Sequence, residues 1–288
     1  MQYLQYVVFG LVTGSILLLG TVGFSMIRRV DNFLNITHGQ MVAVGAYLGY
    51  VFYMLLSIPI LLAVLLTLIV MGVLGWLQFK GIFAPVRRHG SLNLIFTSVG
   101  LAYFVHGGVQ AIFGGKPKPF VMPTMKMFYI GNRPMISTLE IIIIGIAALS
   151  SVAIHLYLTR TRAGVALRAM SSEYDLARVC GINTDSVSAQ VWVIATVMAG
   201  LAGILMGMRG TIYSDMGWQI TLLILSAAVM GGLGSFYGVM VGAVLIGLGM
   251  DLSVIFINPA YRFAVAFAVI IVVLVVKPRG ILGGGSHG

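Results

Sequence analysis

Charged side chains are scarce in this chain. Only 8% of its 288 residues are charged and 59% are hydrophobic, whereas an ordinary soluble domain carries roughly 25% charged residues. A chain this apolar cannot cover a water-facing surface, which excludes a soluble enzyme. Its length instead leaves room for about eight or nine helical spans of about 20 residues each, with little left over for a soluble domain.

Cysteine and recognisable catalytic motifs are also missing. Cys180 is the single cysteine, so the chain cannot form an internal disulfide, and it has no CxxC pair or HExxH stretch to hold a metal. The nearest approach to a phosphate-binding loop, the sequence from Gly231 to Gly238, lacks the lysine that a GxxxxGK[ST] motif requires. We therefore expect no catalytic residue, no metal and no cofactor in this chain. Any work driven by ATP must then come from a separate protein.

Acidic residues are few as well, so that 17 Lys and Arg against 7 Asp and Glu leave a formal net charge of +10. The basic residues do not gather on one segment, as nucleic-acid binding would require. They lie between apolar runs, where an excess of Lys and Arg marks the cytoplasmic side. The larger group, assigned to the cytoplasm, comprises Arg28, Arg29, Lys80, Arg87, Arg88, Arg160, Arg162, Arg168, Arg178, Lys277 and Arg279. The smaller group, on the opposite side, comprises Lys116, Lys118, Lys126, Arg133, Arg209 and Arg262. This partition predicts a cytoplasmic carboxy terminus and no nucleic-acid partner.

Long apolar runs define the fold class. They fall at about residues 5–27, 36–56, 59–79, 92–113, 139–158, 187–208, 217–232, 236–256 and 261–276. The 36–56 run begins with polar residues and the 217–232 run is short. We expect both to be broken or partly re-entrant, because irregular backbone at membrane depth survives only where it is buried or lines a cavity. The sequence thus predicts an all-α, polytopic transmembrane helical bundle of eight or nine spans, forming a single domain over residues 1–288.

Small residues recur at four-residue spacing in the later spans. Such spacing lets helix backbones approach closely in lipid, where no hydrophobic force draws apolar helices together. We expect these faces to pack helices together or, alternatively, to line a narrow pathway. They consist of Ala195, Ala199, Gly203 and Gly207, and of Gly234, Gly238 and Gly242.

The most polar stretch, residues 159–186, is predicted to be a cytoplasmic loop containing one short helix. Ser172 can cap the helix start, and Asp175 has the spacing of a capping box. Glu173 adds negative charge where the helix dipole favours it. Gly181 can supply the left-handed residue that ends the helix. We therefore place a helix of about two turns near residues 172–181.

This short helix is amphipathic. Leu176, Val179 and Cys180 form an apolar face, opposite Asp175 and Arg178. Because so short a helix is not stable alone, its apolar face must bury against either its own neighbouring spans or a partner protein. We assign the docking role to Ser172, Glu173, Asp175, Leu176, Ala177, Arg178 and Gly181.

Polar residues inside a membrane are costly, and they usually face a cavity or a neighbouring group. His38 is expected either to hold a broken helix start together by a hydrogen bond or to contact a substrate. The glycine-rich turn before Ser235 is expected to be a tight connection between two helices or, alternatively, a gate. The candidate pathway or gate residues are Asn35, His38, Gly39, Gly231, Gly232, Gly234 and Ser235.

Four stretches resemble one protein family. The run Glu173-Tyr-Asp-Leu-Ala-Arg-Val-Cys-Gly-Ile-Asn183, preceded by Arg160-Thr-Arg-Ala-Gly, is similar to the coupling loop of LivH-type permeases. These are membrane subunits of ABC importers for branched-chain amino acids. The others are Asn32-Phe-Leu-Asn-Ile-Thr-His-Gly-Gln-Met41, Met230-Gly-Gly-Leu-Gly-Ser-Phe-Tyr-Gly-Val-Met-Val-Gly242 and Lys277-Pro-Arg-Gly-Ile-Leu-Gly283. The resemblance covers nearly the whole chain, in order.

This resemblance implies a permease subunit of an ATP-driven importer for branched-chain or related amino acids, in the bacterial inner membrane. It implies a second, LivM-like permease subunit, two cytoplasmic ATPase subunits that bind ATP and Mg, and a periplasmic substrate-binding protein. It also implies that Glu173, Ala177 and Gly181 enter a groove on the ATPase.

Similar permeases move urea and short amides, so a permease or channel for those solutes is the alternative function. An intramembrane enzyme built on His38 or His106 is a third hypothesis. It is disfavoured because no acid, nucleophile or metal cluster lies at a recognisable spacing from either histidine.

Overall fold

The computed structural model describes residues 2–123, 126–130, 133–233, 235–277 and 280–282, and the chain is 81% helical. The helices are α1 (Gln2–Asp31), α2 (Thr37–Tyr50), α3 (Ile60–Gln78), α4 (Ala84–Val86), α5 (Ser91–Phe113), α6 (Thr138–Arg160), α7 (Arg162–Ser172), α8 (Tyr174–Val179), α9 (Thr184–Met208), α10 (Met216–Gly231), α11 (Phe236–Ser253) and α12 (Arg262–Val276). The short strands are β1 (Lys118–Pro119), β2 (Met127–Ile130), β3 (Arg133–Ser137) and β4 (Thr211–Ile212). β1 pairs with β4 and β2 with β3, both antiparallel.

Seven of the helices in the described ranges are long and apolar enough to cross a membrane. α10, with 16 residues, is shorter. α2 has 14 residues and continues as a π-helical turn, Val51–Leu55. The predicted all-α polytopic bundle is confirmed, and the two runs expected to be broken or partly re-entrant correspond to α2 with its π-helical turn and to α10.

α1 lies at the centre of the bundle and packs against α11, α9, α6 and α10. Its contact with α11 brings two backbones together: a Cβ placed on Gly247 would lie 2.2 Å from the Gly14 nitrogen. The contact of α9 with α2 is equally close, since a Cβ on Gly203 would lie 1.9 Å from the Val42 carbonyl oxygen. At Gly203 the predicted small-residue face is therefore a packing face, because any side chain would force the helices apart.

α2 begins deep inside the bundle. Residues 32–36 carry no helix, and the His38 Nε2 atom donates to the Gly20 carbonyl at 2.9 Å. Gly20 lies about three helical turns, or roughly 16 Å, before the end of α1 at Asp31. Thr37 also donates its hydroxyl to the Ser98 carbonyl on α5 at 2.6 Å. The chain thus returns into the membrane as an irregular segment whose polar groups are satisfied by neighbouring helices, which makes such backbone tolerable there.

Members of the two predicted groups of basic residues lie in separate parts of the bundle. Arg28, Arg29 and Arg168 line one cavity at the end of α1. Arg262 pairs with Asp251 far along α11. Arg209, just before β4, donates to the Thr13 hydroxyl, which donates to the same carboxylate. Arg279 lies outside the described residues. The arrangement agrees with the partition of basic residues, while the side of the membrane on which each group lies stays a prediction.

Candidate functional site

The polar stretch between α6 and α9 forms two helices rather than one. α7 (Arg162–Ser172) precedes α8 (Tyr174–Val179), and sequence reasoning did not identify α7. Thr161 caps the start of α7 by accepting a hydrogen bond from the Gly164 nitrogen at 3.0 Å. Leu167 and Met170 are buried, and they attach α7 to the bundle along one face.

The predicted start of the docking helix was wrong. Ser172 is the last residue of α7, and the residue that precedes α8 is Glu173, which makes no capping hydrogen bond with its side chain. The proposed capping box from Ser172 to Asp175 is therefore not formed. The physical reason is that burial of Leu167 and Met170 extends α7 to Ser172, and a side-chain cap, worth only about 1 kcal/mol, does not outweigh that burial.

The predicted end of the docking helix is confirmed. Gly181 has a φ of +85°, in the left-handed region. Its nitrogen donates to the Arg178 carbonyl at 3.1 Å, and the Ile182 nitrogen donates to the Ala177 carbonyl at 3.1 Å. These two bonds form a Schellman motif, which ties up carbonyls that the helix end would otherwise leave free. Glycine tolerates this conformation because it has no Cβ.

The apolar face of α8 is uncovered. Leu176 is 61% exposed and Val179 is 84% exposed, and Cys180 is exposed too. Within the described ranges, then, this chain does not bury the face, which favours the partner over the neighbouring spans as its cover. Of the residues assigned to docking, the exposed ones are Ser172, Glu173, Asp175, Leu176, Arg178 and Gly181.

Ala177 differs from those neighbours. It is buried in its own chain, because it is on the side of α8 that faces the bundle. The resemblance implied that this residue enters an ATPase groove, but its side chain has too little free surface for a direct contact. Ala177 instead anchors α8.

α8 is connected to the bundle by a network that the sequence did not reveal. The Arg87 guanidinium lies 4.7 Å from the centre of the Tyr174 ring. The same guanidinium lies 2.7 Å from the carboxylate of Asp31, the last residue of α1, and 3.7 Å from Asp185 at the start of α9. Trp192 of α9 donates its indole N–H to Asp31 at 2.6 Å. Arg87 thus joins α8 to two central helices, and only the three-dimensional arrangement brings these residues together.

The candidate pathway residues near the start of α2 lie inside the packed bundle. His38 is buried and bonded to Gly20, which agrees with the interpretation that it holds the broken helix start. Gly39 is pressed against α10, where a Cβ would lie 1.8 Å from the Thr221 hydroxyl oxygen. Asn35 is buried, and its side-chain oxygen has no hydrogen-bond partner within the part of the chain that is described.

The candidate gate residues form the connection between α10 and α11. Gly231 ends α10, and Gly232 has a φ of +98°. Ser235 caps α11 by accepting a hydrogen bond from the Gly238 nitrogen at 3.0 Å. This geometry is that of a tight turn between helices. Gly234 lies outside the described residues.

A large apolar groove lies between α2, α3 and α5. Its volume is about 520 Å³. None of the residues that line it was among the candidate site residues chosen from the sequence. The groove is lined by Met41, Val44, Tyr47, Leu48, Leu74, Leu77, Gln78, Ile82, Leu101, Phe104, Val105, Gly108, Val109, Ile112 and Phe113. A polar residue, Gln78, within an otherwise apolar run was the one signal that sequence reasoning could have used.

A bundle of spans with a helix that begins at membrane depth and a groove beside it is typical of polytopic membrane transport proteins. The chain belongs to the family described as the branched-chain amino acid transport system / permease component, whose family profile matches residues 6–274. It is therefore a component of a transport system and an integral membrane protein, not a catalytic enzyme.

Curated relatives match along nearly their whole length. The permease protein BraD of a high-affinity branched-chain amino acid transport system from Pseudomonas aeruginosa is 29% identical, over 98% of this chain and 96% of the relative. LivH from Escherichia coli, of a system with the same description, is 28% identical over the same shares. A probable LivH from Methanocaldococcus jannaschii is 23% identical, over 95% of this chain and 90% of the relative.

A solved structure with a similar fold is PsaBC. PsaBC from Streptococcus pneumoniae in complex with Fab superposes with a TM-score of 0.50 and 11% sequence identity. The match covers 97% of this chain and 93% of the solved chain. At that identity the likeness concerns the arrangement of helices alone.

Proposed function

We propose that this chain is a membrane-spanning permease subunit of an ATP-driven ABC importer for branched-chain or related amino acids. In this proposal a separate ATPase moves the subunit by contacting α8. The observation that carries the coupling step is the exposure of Leu176 and Val179 on a helix of six residues. A helix of that length needs burial of its apolar face to be stable, and the described residues of this chain do not supply that burial.

The connection through Arg87 supports the coupling. A force on α8 reaches Tyr174, then Arg87, and from there the carboxylates of Asp31 on α1 and Asp185 on α9. Because α1 and α9 are central helices of the bundle, a displacement of α8 would be passed to the core rather than absorbed in a free loop.

The proposed complex contains a second, LivM-like permease subunit, two cytoplasmic ATPase subunits and a periplasmic substrate-binding protein. The ATPase subunits bind ATP and Mg. We place the complex in the bacterial inner membrane, with the carboxy terminus of this chain and α8 on the cytoplasmic side. The family and the names of the curated relatives support this assembly, and the separation of the basic residues supports the orientation.

The proposal is tested by reconstituting the assembled transporter in proteoliposomes. We expect leucine uptake that requires ATP, the ATPase subunits and the binding protein together. Uptake of urea or a short amide by this chain without any ATPase would instead establish the alternative function, a channel for those solutes, and would refute the coupling.

A further inference from the structure

We propose that the groove between α2, α3 and α5 is this subunit's half of the substrate pathway, and that Gln78 contacts the polar end of an aliphatic amino acid there. The inference rests on the proposed function and adds to it the place where the substrate passes and the residue that meets it. The groove follows the direction of the spans: its lining on α5 runs from Leu101 to Phe113, which is about 18 Å of helix.

The walls of the groove suit an aliphatic side chain. The lining of Val44, Leu74, Leu101 and Val105 is apolar, and burying each methylene of a substrate against such walls is worth about 0.8 kcal/mol. The volume of about 520 Å³ lies within the range of roughly 300–1,000 Å³ that small-molecule sites occupy. The groove therefore has room for an amino acid with a branched side chain.

Gln78 is a polar residue in the lining of the groove. Its side chain is 8% exposed, and its amide nitrogen donates to the Met41 sulfur at 2.7 Å, a weak acceptor. Its amide oxygen has no partner in the portion of the chain described. A buried polar atom without a partner is costly, and inside a membrane such atoms usually mark a substrate path. That oxygen is itself buried, so the side chain must turn about its terminal bonds to bring it into the groove, where it would accept a hydrogen bond from the ammonium group of an amino acid.

The helix changes type at Gln78, as is common at functional sites. α3 ends at Gln78 and passes directly into a π-helical turn, Phe79–Phe83. Such turns are rare and occur frequently at functional sites, because they change the direction in which side chains point. The opposite wall is α2, the helix that begins at membrane depth, and discontinuous helices commonly form the substrate sites of transporters.

The groove is open on one side. Leu77, Phe104 and Ile112 stand at its edge and are exposed, so this chain provides only part of the wall. We expect the second permease subunit to close it and to offer partners for the substrate carboxylate. A lipid chain could also occupy apolar walls, but it would leave the Gln78 oxygen without a hydrogen bond.

Two adjacent glycines on α5 provide a matched pair of variants. Gly108 lines the groove and Gly107 does not, and neither would have a neighbouring atom within 4 Å of an added Cβ. Both Gly108→Leu and Gly107→Leu should therefore fold and assemble. In the reconstituted transporter we expect Gly108→Leu to lower leucine uptake by about 10-fold or more, and alanine uptake less, because it fills the pathway. Gly107→Leu should transport both amino acids like the wild type.

Gln78→Leu tests the polar contact. It replaces an amide by an apolar group of similar size, so it should leave thermal stability unchanged or raised, since it removes an unpartnered polar atom. A residue with a purely structural role would leave KM unaltered. We expect instead a KM for leucine raised about 10-fold, from the loss of a hydrogen bond to a charged group.

Thiol labelling separates a substrate path from a groove filled with lipid. In the assembled transporter, Val105→Cys should react with a charged, water-soluble thiol reagent, and leucine should slow that reaction. Peptide mass spectrometry distinguishes this thiol from Cys180. Absence of any reaction at position 105 would show that lipid or protein fills the groove and would overturn the inference.

The two proposals fail in different ways. If the wild-type complex takes up no amino acid in response to ATP, the proposed function is wrong. If the wild type transports leucine while Gly108→Leu and Gln78→Leu transport it equally well, the function stands and the pathway lies elsewhere.

Discussion

Leu176→Asp is the sharpest test of the docking face on α8. Because Leu176 is 61% exposed in this chain, its replacement should alter the stability of the permease itself by no more than about 0.5 kcal/mol. The effect should appear only when the ATPase binds. The two properties, folding and association, are therefore separable in one variant.

The expected loss of affinity follows from the exposed surface. Complete burial of a leucine side chain is worth about 1.5–3 kcal/mol, so the exposed part of Leu176 would contribute roughly 1–2 kcal/mol on docking. A carboxylate in the same contact adds the cost of an unpartnered buried group, about 1–3 kcal/mol. A total near 3 kcal/mol corresponds to about 100-fold weaker association.

The assay is the binding of purified ATPase subunits to the permease pair in lipid nanodiscs. Val165→Asp is the matched control, because Val165 is 51% exposed on the neighbouring helix α7 and lies outside the docking face. We expect the control to bind the ATPase far better than Leu176→Asp. Equal affinity of Leu176→Asp and the wild type, with unchanged melting temperatures, would refute the assignment of α8 as the docking element.

Two further predictions concern the bundle. Trp192→Phe removes the donor to the buried Asp31 carboxylate, and we expect a loss of about 1–3 kcal/mol in the free energy of unfolding, read as a lower melting temperature in detergent. Gly203→Ala would place a Cβ 1.9 Å from the Val42 carbonyl oxygen and should destabilise the protein by about 1–3 kcal/mol or more. Gly81→Ala, with no atom within 4 Å of its Cβ, is the control. Melting temperatures equal to that of the wild type in the first two variants would contradict this account of the packing.

The end of the docking helix could be predicted from the sequence, but the start of that helix could not. Glycine commonly adopts a left-handed conformation just after the last turn of a helix, so the position of Gly181 alone predicted where α8 ends. Ser172 was an equally plausible N-cap for α8. The burial of Leu167 and Met170 instead extends α7 as far as Ser172. A cap is a weak local preference, and the packing of a neighbouring helix overrides it.

Composition and the spacing of apolar runs were sufficient to determine that the chain is a helical membrane bundle. The reason is that lipid leaves a spanning chain few options besides the helix, so the fold class follows from hydrophobicity alone. The small-residue spacing also predicted the close approach at Gly203, since four-residue spacing places such residues on one helix face.

Tertiary structure alone decided which residues meet. His38 reaches Gly20 on another helix, Arg87 joins Asp31 and Trp192 to α8, and Gln78 lies in the wall of a groove formed by three helices. Each contact depends on how helices are rotated and placed against one another. Hydrophobic periodicity does not encode those positions, because one apolar face can pack equally well against many others in lipid.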